Sequence, residues 1–173
     1  ALALAIGLVG YSTNANSVAP GHDGHAGHAA HAAAPAAAAT GGTKVVGLPL
    51  AIVHKSPTCG CCKVWVDHLE QAGFRVQVRE SNDLEPIKKK LGVPYGEGSC
   101  HTAEIGGYFV EGHVPAEDIK RLLAQKPKAR GLTVPGMPIG SPGMEVPSGQ
   151  VQPYVVKLVG TDGSTSVWAR HGQ

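Results

Sequence analysis

Three of the chain's four cysteines fall within four positions, in Pro57-Thr-Cys-Gly-Cys-Cys-Lys-Val-Trp65. Just before them runs Leu48 to His54 (LPLAIVH), a short apolar stretch rich in β-formers. Just after them, Cys62 to Ala72 places Trp65, Leu69 and Ala72 at helical spacing and stops at Gly73. The cysteines therefore occupy a strand-to-helix junction. Phe74 to Arg79 (FRVQVR) alternates apolar and polar residues and reads as a second strand, completing a β-α-β unit with a right-handed crossover. Cys59 then stands at a helix N-terminus, where free N–H groups and the positive end of the macrodipole favour thiolate.

The rest of the chain supplies the partners of that unit. Asp83 is placed to cap a short helix running through Leu91, with Pro86 in its first turn and Gly92 at its end. Glu104 to His113 reads as a hairpin turning at Gly106-Gly107. Pro115 opens a helix over Ala116 to Gln125, acidic at Glu117 and Asp118 and basic later, with Ile119, Leu122 and Leu123 as its buried stripe. A loop follows Pro127 and repeats itself as Val134-Pro-Gly-Met-Pro138 and Ser141-Pro-Gly-Met-Glu145. Tyr154 to Val159 and Thr165 to Ala169 pair across Asp162-Gly163 as a last hairpin. This order predicts an α/β fold: a thioredoxin-like domain with the C-terminal loop and β-hairpin as an extension.

The front of the chain has a different composition. ALALAIGLVG is too short to span a bilayer, which takes about 20 apolar residues, and fits the h-region of a signal peptide cut off at its start. Small-x-Ala cleavage candidates end at Ala15 and Ala19. Residues 1–19 are expected to be a truncated signal peptide, 20–44 a disordered linker rich in Ala and His, and 45–173 the metal-binding domain. The linker carries His22, His25, His28 and His31, spaced by three, an imidazole set that suits Cu(II), Ni and Zn alike. The mature protein is expected in the periplasm, with no stable membrane insertion after cleavage. A net charge of +2 gives no concentrated basic field, and Lys88-Lys89-Lys90 reads as a solvated helix face, so nucleic acid is not an expected partner. With 5% aromatic residues and 24 glycines, a small loop-rich domain gains from a bound metal or a cross-link.

Cys59 and Cys62 have CxxC spacing, with Cys61 between them. The fourth cysteine lies in Ser99-Cys-His-Thr102, just ahead of the hairpin strand, where a thioredoxin-like frame brings a loop beside the CxxC. His101, His113, Met137 and Met144 add imidazoles and thioethers. Thiolate with thioether selects Cu(I), whereas a structural zinc site would leave the methionines unexplained. Two disulfides are the alternative for four cysteines in an exported domain: Cys59–Cys62 with Cys61–Cys100, or one of the outer pair to Cys100. Three cysteines within one turn close almost no chain, which argues for a functional site over a staple. His68 reads as a partly buried structural residue, and His54 and His171 as surface or packing histidines.

The segments SPTCGCCKVWVDHLEQAGF (56–74), GVPYGEGSCHTAEIGGYFVEGHVPAEDIKRLL (92–123) and GLTVPGMPIGSPGME (131–145) resemble the CopG-type proteins of bacterial copper-resistance operons. The resemblance runs from about Leu48 to Arg170. It implies an exported thioredoxin-like protein that binds copper through a cysteine-bridged multinuclear cluster and interconverts Cu(I) and Cu(II). Carried over by motif, Cys59, Cys61 and Cys62 match the family's CxCC, Cys100-His101 its SCHT, His113 its EGHVP, and Met137 and Met144 its PGMP and PGME. The implied partners are copper ions, other copper-resistance proteins and an electron-transfer partner. Two other functions fit the same residues: a thiol–disulfide oxidoreductase with Cys59 attacking and Cys62 resolving, and a copper buffer or chaperone without turnover.

Overall fold

A computed structural model describes residues 47–173; the expected signal peptide and linker, with the His22 to His31 tract, lie outside the described residues. The described chain is α/β, with one mixed seven-stranded sheet and three α-helices. β1 (Ala51–Lys55), α1 (Gly60–Gln71) and β2 (Val76–Glu80) form the β-α-β unit, β1 and β2 being parallel. α2 (Glu85–Leu91) leads to the antiparallel pair β3 (His101–Ile105) and β4 (Tyr108–Glu111), and α3 (Ala116–Gln125) follows. β5 (Ala129–Thr133), β6 (Tyr154–Gly160) and β7 (Thr165–His171) complete the sheet, whose order is β2-β1-β3-β4-β5-β6-β7.

Local chemistry accounts for most boundaries. Asp83 lies one residue ahead of the position that caps α2, and its carboxylate accepts the Glu85 N–H at 3.0 Å. Gly92 ends that helix in the left-handed conformation, as expected. Gly106 and Gly107 both take positive φ, which the tight β3–β4 turn requires. His68 of α1 reaches across to accept the first N–H of α3, Ala116, at 3.2 Å, which confirms a structural role for it.

Two expectations fail. Residues 129–133 are a strand, not part of a loop: β5 runs parallel to β4 and antiparallel to β6, so the final hairpin is continuous with the main sheet. Gly131 makes this possible, because a Cβ there would strike the Phe109 carbonyl of β4. Lys88 is the second correction. It is 9% exposed, not a solvated residue, because Glu111 and Thr102 receive its ammonium inside the protein.

Ala51 and Val53 of β1, Ala103 and Ile105 of β3, Val110 of β4 and Leu132 of β5 pack with Trp65 and Leu69 of α1 and Ile119 and Leu122 of α3 in one core. Alternation along β3 puts His101 on the same face as Ala103 and Ile105, and sends Thr102 to the opposite face. Thr102 pairs with Glu111 across the β3–β4 ladder. The positions after Glu111 and before Thr102 therefore lie side by side at one end of the sheet, next to the N-terminus of α1.

Candidate metal centre

Cys59 is the N-cap of α1, and Cys61 and Cys62 lie in its first turn. The strand β1 delivers this turn to the end of the sheet at which Lys55 pairs with His101. Continuing the β3–β4 register outward, the Gly112 N–H donates to the His101 carbonyl at 3.0 Å and sets His113 opposite Cys100. Gly112, with φ of 72°, lets the two arms close, since a Cβ would lie 2.6 Å from that of Ser99.

The four sulfurs of Cys59, Cys61, Cys62 and Cys100 lie within 4.8 Å of one another, as do donor atoms of Cys100, His101 and His113. Cys61 links the groups: its sulfur is 3.5 Å from that of Cys59 and 4.0 Å from that of Cys100. Cys100 in turn lies 3.1 Å from His113 Nε2 and 3.4 Å from His101 Nδ1. Cys59 and Cys62 are joined as a disulfide, while Cys61 and Cys100 are free thiols. The two-disulfide arrangement is thus absent.

Electrostatics prepares the imidazoles to donate lone pairs. His113 Nδ1–H donates to the Pro142 carbonyl at 2.8 Å, leaving Nε2 unprotonated and aimed at Cys100. Burial lowers the pKa of His113 and holds that of His101 well below the ordinary range, with His113 adding to the second effect. His101 is wholly buried against Trp65, ring centroids 4.3 Å apart, and its Nε2 has no hydrogen-bond partner. An imidazole kept dry with an idle nitrogen is costly unless the ring serves elsewhere. Burial, then the neighbouring Cys61, pushes the Cys100 thiol up to about 11. In the metal-free protein Cys100 is therefore a thiol at neutral pH, and a soft cation must displace its proton.

The repeated Pro-Gly-Met loop encloses this end of the sheet. The Ser99 hydroxyl donates to the Gly136 carbonyl at 2.5 Å, tying the Met137 segment to the Cys100 arm, although Met137 itself is 51% exposed. Gly143, next to Met144, sits so close to α1 that a Cβ would lie 2.7 Å from the Cys61 carbonyl and 2.9 Å from the Trp65 nitrogen. Cys59 also lines an open groove of about 370 Å³, together with Pro57, Thr58, Val66 and Val78. A larger hollow of about 830 Å³, bounded by Leu48, Tyr108 and Leu123, contains none of the cysteines.

Sequence reasoning missed the residues behind the site. Glu111, fully buried, accepts the Ser99 N–H at 2.6 Å, the Thr102 hydroxyl at 2.5 Å and the Lys88 ammonium. Burial raises its carboxyl, opposed by Lys88 and by these donors. The available signal was its place two residues before His113, in a strand otherwise apolar. His54 and His171 take the packing roles expected of them, bonded to Glu104 at 3.0 Å and Asp118 at 2.7 Å.

A family profile described as a protein of unknown function, DUF411, matches residues 97–144, which span the Cys100 arm and both Pro-Gly-Met units. No curated protein matches the chain. Two solved structures do: "Copper resistance protein copG- Form 1" at 45% identity, covering 73% of this chain and 99% of that one, and its Form 2 at 46%, covering 72% and 98%. Both superpose with a TM-score of 0.68. With nearly half of the residues shared over almost the whole of those proteins, the chain belongs to the CopG family of copper resistance proteins.

Proposed function

We propose that this protein is an exported copper-binding protein of copper resistance that holds a cysteine-bridged Cu(I) cluster and interconverts Cu(I) and Cu(II). The observation that carries the reading is the convergence of four sulfurs within 4.8 Å, with a neutral His113 nitrogen 3.1 Å from Cys100. Copper is the substrate. Soft thiolates select Cu(I), and sulfur can bridge two ions, so Cys61 between Cys59 and Cys100 is the natural bridging ligand. In the reduced protein Cys59, Cys62, His101 and His113 complete the shell, and Met137 and Met144 supply thioethers from the enclosing loop; once Cys59 and Cys62 are a disulfide they leave it.

The redox step assigns the electrons to Cys59 and Cys62. When the two thiols close to a disulfide, two electrons and two protons leave; two Cu(II) ions accept one electron each and become Cu(I), and the protons pass to solvent. Cys61, Cys100 and His113 stay free to hold the product. The frame for this chemistry is thioredoxin-like: the sheet order β2-β1-β3-β4 and the position of the CxxC at the N-terminus of α1 support that assignment. Residues 1–19 act as the signal peptide and 20–44 as a linker, which places the domain in the periplasm. There it exchanges copper or electrons with other resistance proteins. Among the described residues no helix is long and apolar enough to cross a membrane.

The deciding experiment is an anaerobic Cu(I) titration of the reduced protein, reading bound copper and thiolate-to-copper absorbance. Several equivalents that disappear in Cys59→Ser and Cys62→Ser proteins are expected; uptake equal to wild type in both would end the cluster reading. The Cys59–Cys62 disulfide favours one other reading, a thiol–disulfide oxidoreductase. Rapid disulfide reduction by metal-free protein is its distinguishing result.

A further inference from the structure

We propose that Glu111 is a positioning residue that sets the distance between the Cys100 and His113 arms of the metal centre. The proposal rests on the copper reading above. Glu111 is the last residue of β4 and has no exposed surface. Its Oε1 accepts the Ser99 N–H at 2.6 Å and its Oε2 accepts the Thr102 hydroxyl at 2.5 Å. Ser99 and Thr102 flank the Cys100-His101 dipeptide on either side. One carboxylate therefore grips both ends of the first arm while its own backbone, through Gly112, begins the second.

The grip extends to the enclosing loop. The Glu111 carbonyl accepts the Val134 N–H at 3.0 Å, and the Ser99 hydroxyl holds Gly136 at 2.5 Å, so the segment before Met137 is referenced to the same residue. Lys88 of α2 completes the device from the far face of the sheet. Its ammonium bonds Glu111 Oε1 and, at 2.9 Å, the Thr102 hydroxyl oxygen. The carboxylate thus receives three donors and the hydroxyl a fourth, which leaves none of them a freely chosen rotamer.

A buried ion pair is weak evidence for stability, since apolar residues of similar volume commonly replace one without loss. Position is what such residues could not reproduce, because no apolar side chain accepts the Ser99 N–H. Outer partners that orient ligands are worth about 10- to 100-fold in metal affinity.

The test compares wild type, Glu111→Gln and the double variant Lys88→Met/Glu111→Leu, each also in a Cys100→Ser/His113→Ala background. Cu(I) affinity, thiolate-to-copper absorbance and far-UV circular dichroism are read on each reduced protein. Both variants are expected to keep the wild-type dichroism, to lose about 10- to 100-fold in Cu(I) affinity with an altered absorption band, and to show no further loss in the Cys100→Ser/His113→Ala background. Wild-type affinity and spectrum in the double variant, or a loss of the same size in that background, would overturn the proposal. Wild-type protein that takes up no Cu(I) would overturn it together with the copper reading.

Discussion

His113 Nε2 lies 3.1 Å from the Cys100 sulfur while its Nδ1–H donates to the Pro142 carbonyl at 2.8 Å. One backbone oxygen, 29 residues along the chain from the ring, thus decides which nitrogen faces the thiol. His113→Gln removes the imidazole lone pair with little change in volume. It is expected to lower Cu(I) affinity by at least about tenfold, the lower end of what ligand-orienting contacts contribute, with far-UV dichroism unchanged. Competition with a chromophoric Cu(I) chelator reads the change; affinity equal to wild type would remove His113 from the shell.

Cys61 and Cys62 differ in kind although they adjoin. Cys62 is bonded to Cys59, whereas Cys61 is a free thiol 3.5 Å from Cys59. Under anaerobic Cu(II), reduced wild type is expected to form two Cu(I) for each Cys59–Cys62 disulfide closed. Cys61→Ser should keep that ratio and hold the Cu(I) less tightly; Cys62→Ser should lose the disulfide and with it the paired transfer. Cu(I) trapped by chelator, set against thiols lost, separates the two. An unchanged ratio in Cys62→Ser would place the electron source elsewhere.

How much of this was legible in the sequence depends on how local each cause is. The β-α-β unit, the Gly106-Gly107 turn and the bounds of α3 rest on spacing and turn residues a few positions apart, and all appear in the structure. β5 has only five residues, Arg130 and Gly131 among them, and its partners β4 and β6 lie beyond α3 on one side and beyond the long Pro-Gly-Met loop on the other, not a few positions away. Lys88 looked solvated for the same reason, because its partner Glu111 is 23 positions away. The cysteines converge as their motifs implied, yet the choice of Cys59 with Cys62 depends on three-dimensional geometry that spacing left open.

The metal-free domain should be most stable between the titration ranges of its buried site groups. His101 and His113 have depressed pKa values relative to 6.5, so the unfolded chain binds more protons as pH falls, and stability present above 6.5 is lost on acidification. Cys100 is raised from 9.0 to about 11, so the stability it contributes is full below pH 9.0 and is lost as pH rises toward about 11. Urea unfolding of reduced protein in chelator is expected to give a midpoint that falls at both ends. His101→Asn should flatten the acid limb, and an acid limb as steep as wild type in that variant would assign the loss to other groups.

Two glycines separate fold stability from site geometry. Gly131→Ala forces a methyl against the Phe109 carbonyl in the sheet, and is expected to cost about 1–3 kcal/mol, the usual range for overpacking. Refolded Gly131→Ala should still bind Cu(I) as wild type does, since Gly131 lies two pairs away from the Glu111–Thr133 pair that adjoins the centre. Gly143→Ala acts differently. Its φ of +86° strains any side chain, and a Cβ 2.7 Å from the Cys61 carbonyl must push the loop off α1. Pro142 moves with it, so His113 loses the acceptor that fixes its tautomer. Gly143→Ala is therefore expected to weaken Cu(I) binding as well as stability, and a variant that is destabilised yet binds normally would show that the Pro142 contact does not govern His113.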